Sequence, residues 1–238
     1  MSRAAQKLIS SSGGVAGPAY TIDQSAIFNR LATNTGAGSP RMYRSIGSTG
    51  NRRKFTFSCW LKRCRTNTQF TSWESQGIMG TSHGAWSTDT FFLLDFLNDT
   101  DQIRIYAGAG ELLKTNRVFR DTGAWMHIVL AMDTEQGTAS NRMRLYINGV
   151  EETSFVTHSV SQNYDTGMNN SASSNEFHLA NNGYDSGNGP YAMDGYMAEC
   201  YLLDGQQKTA SDFGETDSTT GQWIPKSTAF SSSEYGTN

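Results

Sequence analysis

The sequence predicts an all-β protein in which two antiparallel sheets pack face to face. Three observations carry this reading. Strand-length apolar runs recur along the chain between polar turns, and helical periodicity is nearly absent. The 238 residues include 24 Gly and only 4 Pro, with 17% charged and 37% hydrophobic, and Ser, Thr, Asn and Gln dominate the polar remainder, a composition that suits a turn-rich β domain. Asn148-Gly149 falls directly between two apolar runs, a strong hairpin signal because a type I′ turn needs two residues tolerant of positive φ.

Taken in order, Ala4, Ala5, Leu8 and Ile9 share one face at helical spacing, and residues 10–17 form a Ser/Gly tether. Residues 1–19 therefore read as a short N-terminal extension, with Leu8 and Ile9 as apolar anchor points for a partner. Residues 20–31 carry Tyr20, Ile22, Ile27, Phe28 and Leu31 and read as a first strand, followed by a Gly/Asn loop. In residues 55–62, Phe55, Phe57, Cys59 and Leu61 alternate with Thr56, Ser58, Trp60 and Lys62, which predicts a strand with one buried face. Residues 66–90 form a long polar region, broken by Gly77-Ile-Met-Gly and containing Trp73, His83 and Trp86. Residues 91–97 and 102–106 predict a hairpin, and 111–118 a further strand.

Residues 125–133 are apolar on both faces except at His127, so they read as a central strand. Met143, Leu145 and Ile147 alternate with polar neighbours up to Asn148-Gly149, and residues 150–156 return as the partner strand. A polar loop at 158–175 precedes a short strand at 176–180. Residues 181–190 are rich in Gly, Asn and Asp. The apolar run after Gly195 predicts a late strand in the middle of a sheet, with Thr209 to Asp212 starting a helical turn. Beyond Gly214 the chain is polar apart from Trp223 and Ile224. About ten strands result, without an internal repeat. A single domain over residues 20–226, ahead of a flexible polar tail at 227–238, accounts for the whole pattern.

Composition excludes several functions. A net charge of -3 and a pI near 5.8 leave no basic surface for nucleic acid. No apolar stretch is long enough to insert into a membrane, and Gln6 and Lys7 interrupt what would be the core of a signal peptide, so synthesis and folding in a reducing cytoplasm are expected. Cys59, Cys64 and Cys200 fit neither a disulfide framework nor a zinc site.

Three segments occur in a family's order and spacing: residues 55–62; Trp125-Met-His-Ile-Val-Leu with Arg144-Leu-Tyr-Ile-Asn-Gly; and Asp194-Gly-Tyr-Met-Ala-Glu-Cys. Over roughly residues 45–215 the chain resembles the concanavalin A-like, laminin-G-like jelly-roll sandwich. More narrowly, Asp194-Gly-Tyr-Met-Ala-Glu, Leu203-Asp-Gly-Gln, Ser211-Asp-Phe-Gly-Glu and Gly221-Gln-Trp-Ile-Pro-Lys resemble the closing block of sandwich domains in virion proteins of marine tailed bacteriophages. The opening residues 1–14 resemble the start of such proteins. The resemblance implies a non-enzymatic structural protein on the virion surface, a capsid decoration or appendage docked to other virion proteins through its N-terminal segment. The alternative is a receptor-recognition module of a tail fibre that binds host surface glycans. A homo-oligomer would suit either role.

Glycan-cleaving members of this family carry paired carboxylates on one strand, in a Glu-x-Asp-x-x-Glu pattern, and the sequence has no such strand; no catalytic residue is assigned. No serine stands in a nucleophile-elbow context. His127 reads as a hydrogen-bonded core residue. Sugar binding would use loop aromatics with nearby amide and carboxylate groups, and Trp86, Asn182, Tyr184 and Asp185 are the candidates. Laminin-G relatives often bind calcium, for which Asn182, Asp185 and Asn188 offer oxygen ligands, although an ordinary turn cluster is the simpler reading and no metal or other cofactor is assigned.

Overall fold

The computed structural model of the protein describes residues 20–29, 40–66, 75–81, 89–172, 175–181 and 191–236. Fifteen strands lie among them: β1 (Ala26–Phe28), β2 (Met42–Ser45), β3 (Lys54–Arg63), β4 (Gln76–Thr81), β5 (Phe92–Phe96), β6 (Gln102–Ala107), β7 (Gly110–Val118), β8 (Met126–Asp133), β9 (Met143–Ile147), β10 (Val150–Glu151), β11 (Phe155–His158), β12 (Glu176–Leu179), β13 (Gly195–Asp204), β14 (Gly214–Thr216) and β15 (Trp223–Pro225). Among the described residues the only α-helix is a single turn, α1 (Ser232–Tyr235). A six-stranded sheet runs β1-β13-β3-β8-β9-β10, a seven-stranded sheet runs β11-β7-β6-β5-β4-β12-β2, and β14-β15 form a separate hairpin. The all-β, two-sheet antiparallel sandwich is the fold the sequence predicts.

Period-2 alternation explains the main core. Phe55, Phe57, Cys59 and Leu61 of β3 point inward with Ile128, Leu130 and Met132 of β8. From the opposite sheet they meet Phe92, Leu94 and Phe96 of β5 with Ile103 and Ile105 of β6. Phe55 and Phe92 join the two layers edge to face at 5.6 Å between ring centres. The hairpin at Asn148-Gly149 forms as predicted, with φ of 50° and 81° at its two central residues. Asn148 Oδ1 also accepts a 2.8 Å hydrogen bond from the His127 backbone N–H.

The structure corrects five expectations. First, β3 is buried on both faces, since Thr56 and Ser58 are as inaccessible as Phe55 and Phe57. The polar-looking C-terminal segment supplies the cover: Phe213, Trp223 and Phe230 pack on Val129, Ala131, Tyr146, Tyr201 and Leu203 of the outer face. Second, residues 150–156 do not form one strand. β10 ends at Glu151, and the chain then crosses to pair β11 with β7 in the other sheet. Third, Gly77-Ile-Met-Gly is no interruption of a loop; it is the centre of β4, fully buried between β5 and β12. Fourth, β13 lies one strand from the edge rather than centrally, with only the three-residue β1 outside it. Fifth, the first strand-like element shrinks to β1, because residues 20–25 are not paired in a sheet.

At the centre of the outer face His127 is fully buried. Trp223 Nε1 lies 3.0 Å from His127 Nδ1. An indole N–H can only donate, so Nδ1 is the acceptor and the proton sits on Nε2, which donates to Ser58 Oγ at 2.9 Å. The Trp60 ring stacks on the imidazole at 4.8 Å. Trp223 reaches this position because Gly149 and Gly214 border its indole, and a Cβ at either would overlap the ring. Burial pushes the His127 pKa down to about 3.

Two outcomes follow from this cluster. Trp223→Phe removes the donor and leaves Nδ1 buried without a partner, which should lower stability by about 1–3 kcal/mol in urea unfolding; a loss below the error of that measurement would contradict the assigned hydrogen bond. The second concerns pH. An unfolded chain protonates His127 near 6.5 while the folded chain resists until about 3, so stability should be fully present above 6.5 and fall as pH drops through that window. The slope contributed is about 1.4 kcal/mol per pH unit. His127→Gln should flatten the dependence, and equal slopes in the two proteins would disprove it.

Candidate functional site

A groove of about 450 Å³ opens on the outer face of the six-stranded sheet, beside the C-terminal cover. Register places its floor. Trp60 pairs with Ala198 of β13 on one side and with His127 of β8 on the other, and the outward face presents Trp60 and Ala198 to the groove. One wall is the unpaired segment 20–25, and another is Ile224 and Pro225 of β15. Trp125, one residue before β8, closes the lining; it is 39% exposed. Its ring lies 6.3 Å from that of Tyr196. An unburied indole at the mouth of a groove needs a reason, because large aromatics normally lose their area to the core.

Glu199 fixes the wall formed by residues 20–25. The β3–β13 register slips between Ala198 and Tyr201, a bulge that puts Glu199 at a φ of 48°. That conformation costs a non-glycine residue about 1–2 kcal/mol. In return the carboxylate faces two phenols. Tyr20 donates to Oε1 at 2.7 Å, and Tyr201 donates to Oε2. Burial and then the Glu199 contact push the Tyr201 phenol up to about 12, and the bond to Glu199 raises Tyr20. Both phenols therefore keep their protons at neutral pH and remain donors. Glu199, isolated in the sequence, is a structural clamp: it ties the segment before β1 to the late strand β13.

The groove offers two kinds of chemistry. The indole of Trp125 is an apolar face against which the C–H edge of a sugar ring can lie, and the buried Trp60 is part of the floor beneath it. Thr21, Asp23, Gln24 and Ser25 offer hydroxyl, carboxylate and amide groups for hydrogen bonds. Asp23 is the sole carboxylate lining the groove among the described residues, so they do not assemble there the pair that glycoside hydrolysis requires.

The residues singled out from the sequence for sugar binding, Trp86, Asn182, Tyr184 and Asp185, lie outside the described residues, as do Leu8 and Ile9 of the N-terminal extension. So do Asn182, Asp185 and Asn188 as calcium ligands; among the described residues no group of three or more His, Cys, Asp or Glu side chains is placed to hold a metal ion. Of the other histidines, His158 Nε2 lies 2.8 Å from the Met143 carbonyl, and Nε2 of buried His178 lies 3.2 Å from the Glu176 carboxylate. The groove was hidden in the sequence because its aromatics sit in or beside strands that read as structural. The one local signal was Trp60, a large aromatic on the face that alternation assigns to solvent.

A model of the concanavalin A-like lectin/glucanases superfamily, of the laminin G type, matches residues 44–205, more than half of the chain. The chain belongs to that superfamily. Solved structures agree on the fold. The native heptameric SAP-like pentraxin of Limulus polyphemus superposes with a TM-score of 0.50 at 13% identity, over 77% of this chain and 76% of the pentraxin. A point mutant of NanB sialidase from Streptococcus pneumoniae gives 0.53 at 14% identity, over 82% of this chain. The chain spans 29% of that sialidase. No curated protein matches the chain by sequence. At such identities the structural likeness establishes the lectin-like sandwich alone. Most of the groove's lining, namely residues 20–25 with Ile224 and Pro225, falls outside the span the superfamily model matches.

Proposed function

We propose that this concanavalin A-like domain is a non-catalytic carbohydrate-binding module carried on the surface of a bacteriophage particle. Binding is the function the geometry supports best, and one observation carries it: the exposed indole of Trp125 at a groove whose remaining lining is aromatic, aliphatic and hydrogen-bonding. The ligand class is a host surface glycan, with one sugar ring against the Trp125 indole and its hydroxyls toward Thr21, Asp23 and Gln24. The phage setting rests on the likeness of the opening and closing segments to marine phage virion proteins. In that setting the sandwich faces outward, and Leu8 and Ile9 dock the chain to a capsid or tail protein.

A glycan array with the purified protein tests the binding role. Trp125→Ala should weaken every positive signal by tenfold or more, with unfolding unchanged because the ring is half open to solvent. An array without signals for the parent protein would remove the reading.

A second reading is favoured by the apolar tag on its Ser/Gly tether: a capsid decoration whose only contacts are with other virion proteins. Deleting residues 1–17 should leave a folded domain that no longer joins particles, scored by its presence in purified virions. Undiminished incorporation would refute the anchor in both readings.

A further inference from the structure

A second pocket, of about 150 Å³, adjoins the groove through Trp125, which lines both. Its electrostatics differ from those of its neighbour. Three arginines line it, Arg63, Arg117 and Arg120, the first with its guanidinium buried, against one lining carboxylate, Asp121. Buried Asp101 stands behind them and is shared: Oδ1 accepts from Arg63 at 2.8 Å, and Oδ2 lies 3.3 Å from Arg120. One carboxylate thus serves two cations. Asp121 is already engaged, since its Oδ1 accepts from the backbone N–H groups of Gly123 and Ala124. Arg117 is exposed and lies over the Phe119 ring at 5.1 Å, and it forms no ion pair among the described residues. Arg63 Nε is buried without a hydrogen-bond partner. Three cations against two anions leave an excess positive charge beside Trp125. The groove itself is lined by no cation and by the single anion Asp23.

We infer that this pocket takes an anionic group, a carboxylate or a sulfate, on the same glycan whose neutral ring lies in the groove. The ligand class is then an acidic oligosaccharide that straddles Trp125. The inference rests on the carbohydrate-binding reading and adds to it the charge and minimum length of the ligand. Arg117 is the recognition residue, since it has a free guanidinium edge, while Arg63 and Arg120 are held by Asp101 and supply the field. The Asn148 side chain, which also lines the pocket, is committed to the His127 backbone.

Calorimetric titration of the 238-residue protein with three oligosaccharides of equal length tests this: one neutral, one containing a uronate, one sulfated. At least one acidic ligand should bind about tenfold tighter than the neutral one, the usual scale for a hydrogen bond to a charged group. That advantage should shrink as salt is raised, because the pocket is open to solvent. Arg117→Gln, a change at an exposed side chain without an ion pair, should abolish the preference and leave neutral binding as it was. The uronate and sulfate arms identify which anion is held. Equal affinity for all three, or an acid preference that survives Arg117→Gln, overturns the inference and leaves the groove reading standing. Binding of none of the three overturns both.

Discussion

His127 is buried on the outer face of the six-stranded sheet with both ring nitrogens committed, one to Trp223 and one to Ser58. A polar ring in that position is tolerable only when each nitrogen has a partner and water is kept out. Much else in the structure depends on meeting that condition. Trp223 must reach across from a hairpin of its own, which requires the glycines that border its indole. Phe213 and Phe230 must follow it to cover Val129, Ala131 and Leu203. What looks like a tail is therefore the third layer of the sandwich, and residues 227–236 contribute Phe230 to it, 5.3 Å from the Phe213 ring.

The cover is incomplete, and the groove lies beside it. Trp60 stacks on His127 at the end of the covered patch, while Trp125 stands farther along the same face, half open. The wall opposite Ile224 and Pro225 is a segment without sheet pairing, held through Tyr20 by a carboxylate at a backbone bulge. Bulges recur where a strand must re-aim one side chain. Here the re-aimed side chain is Glu199, which joins an early segment to a late strand 179 residues away. The strain at its φ is held in place by two phenol hydrogen bonds.

Legibility in the sequence followed the range of the interaction. Residues 55–62, 91–97, 125–133 and the Asn148-Gly149 turn were readable because alternation and turn chemistry are local. β2 gave no signal, since all four of its residues are exposed at a sheet edge. β4 was obscured by two glycines in a run of six, although burial on both sides holds it in the sheet. The split between β10 and β11 was invisible because nothing local says which sheet a strand joins. Glu199 looked isolated because its partners, Tyr20 and Tyr201, are set by a register slip that alternation does not predict.

The sequence by itself determined the sandwich, its superfamily, the main inward-facing core and the central position of residues 125–133. Each follows from period-2 patterning and side-chain chemistry within a few residues. Only the tertiary structure decided that the outer face is also a core, that β13 sits one strand from the edge, and that Trp60, Trp125, Tyr20 and Pro225 come to border one groove. The physical reason is distance along the chain. A groove built from residues 20–25, 60, 125, 198 and 224–225 exists only once long-range pairings bring those segments together, and no local pattern records that assembly.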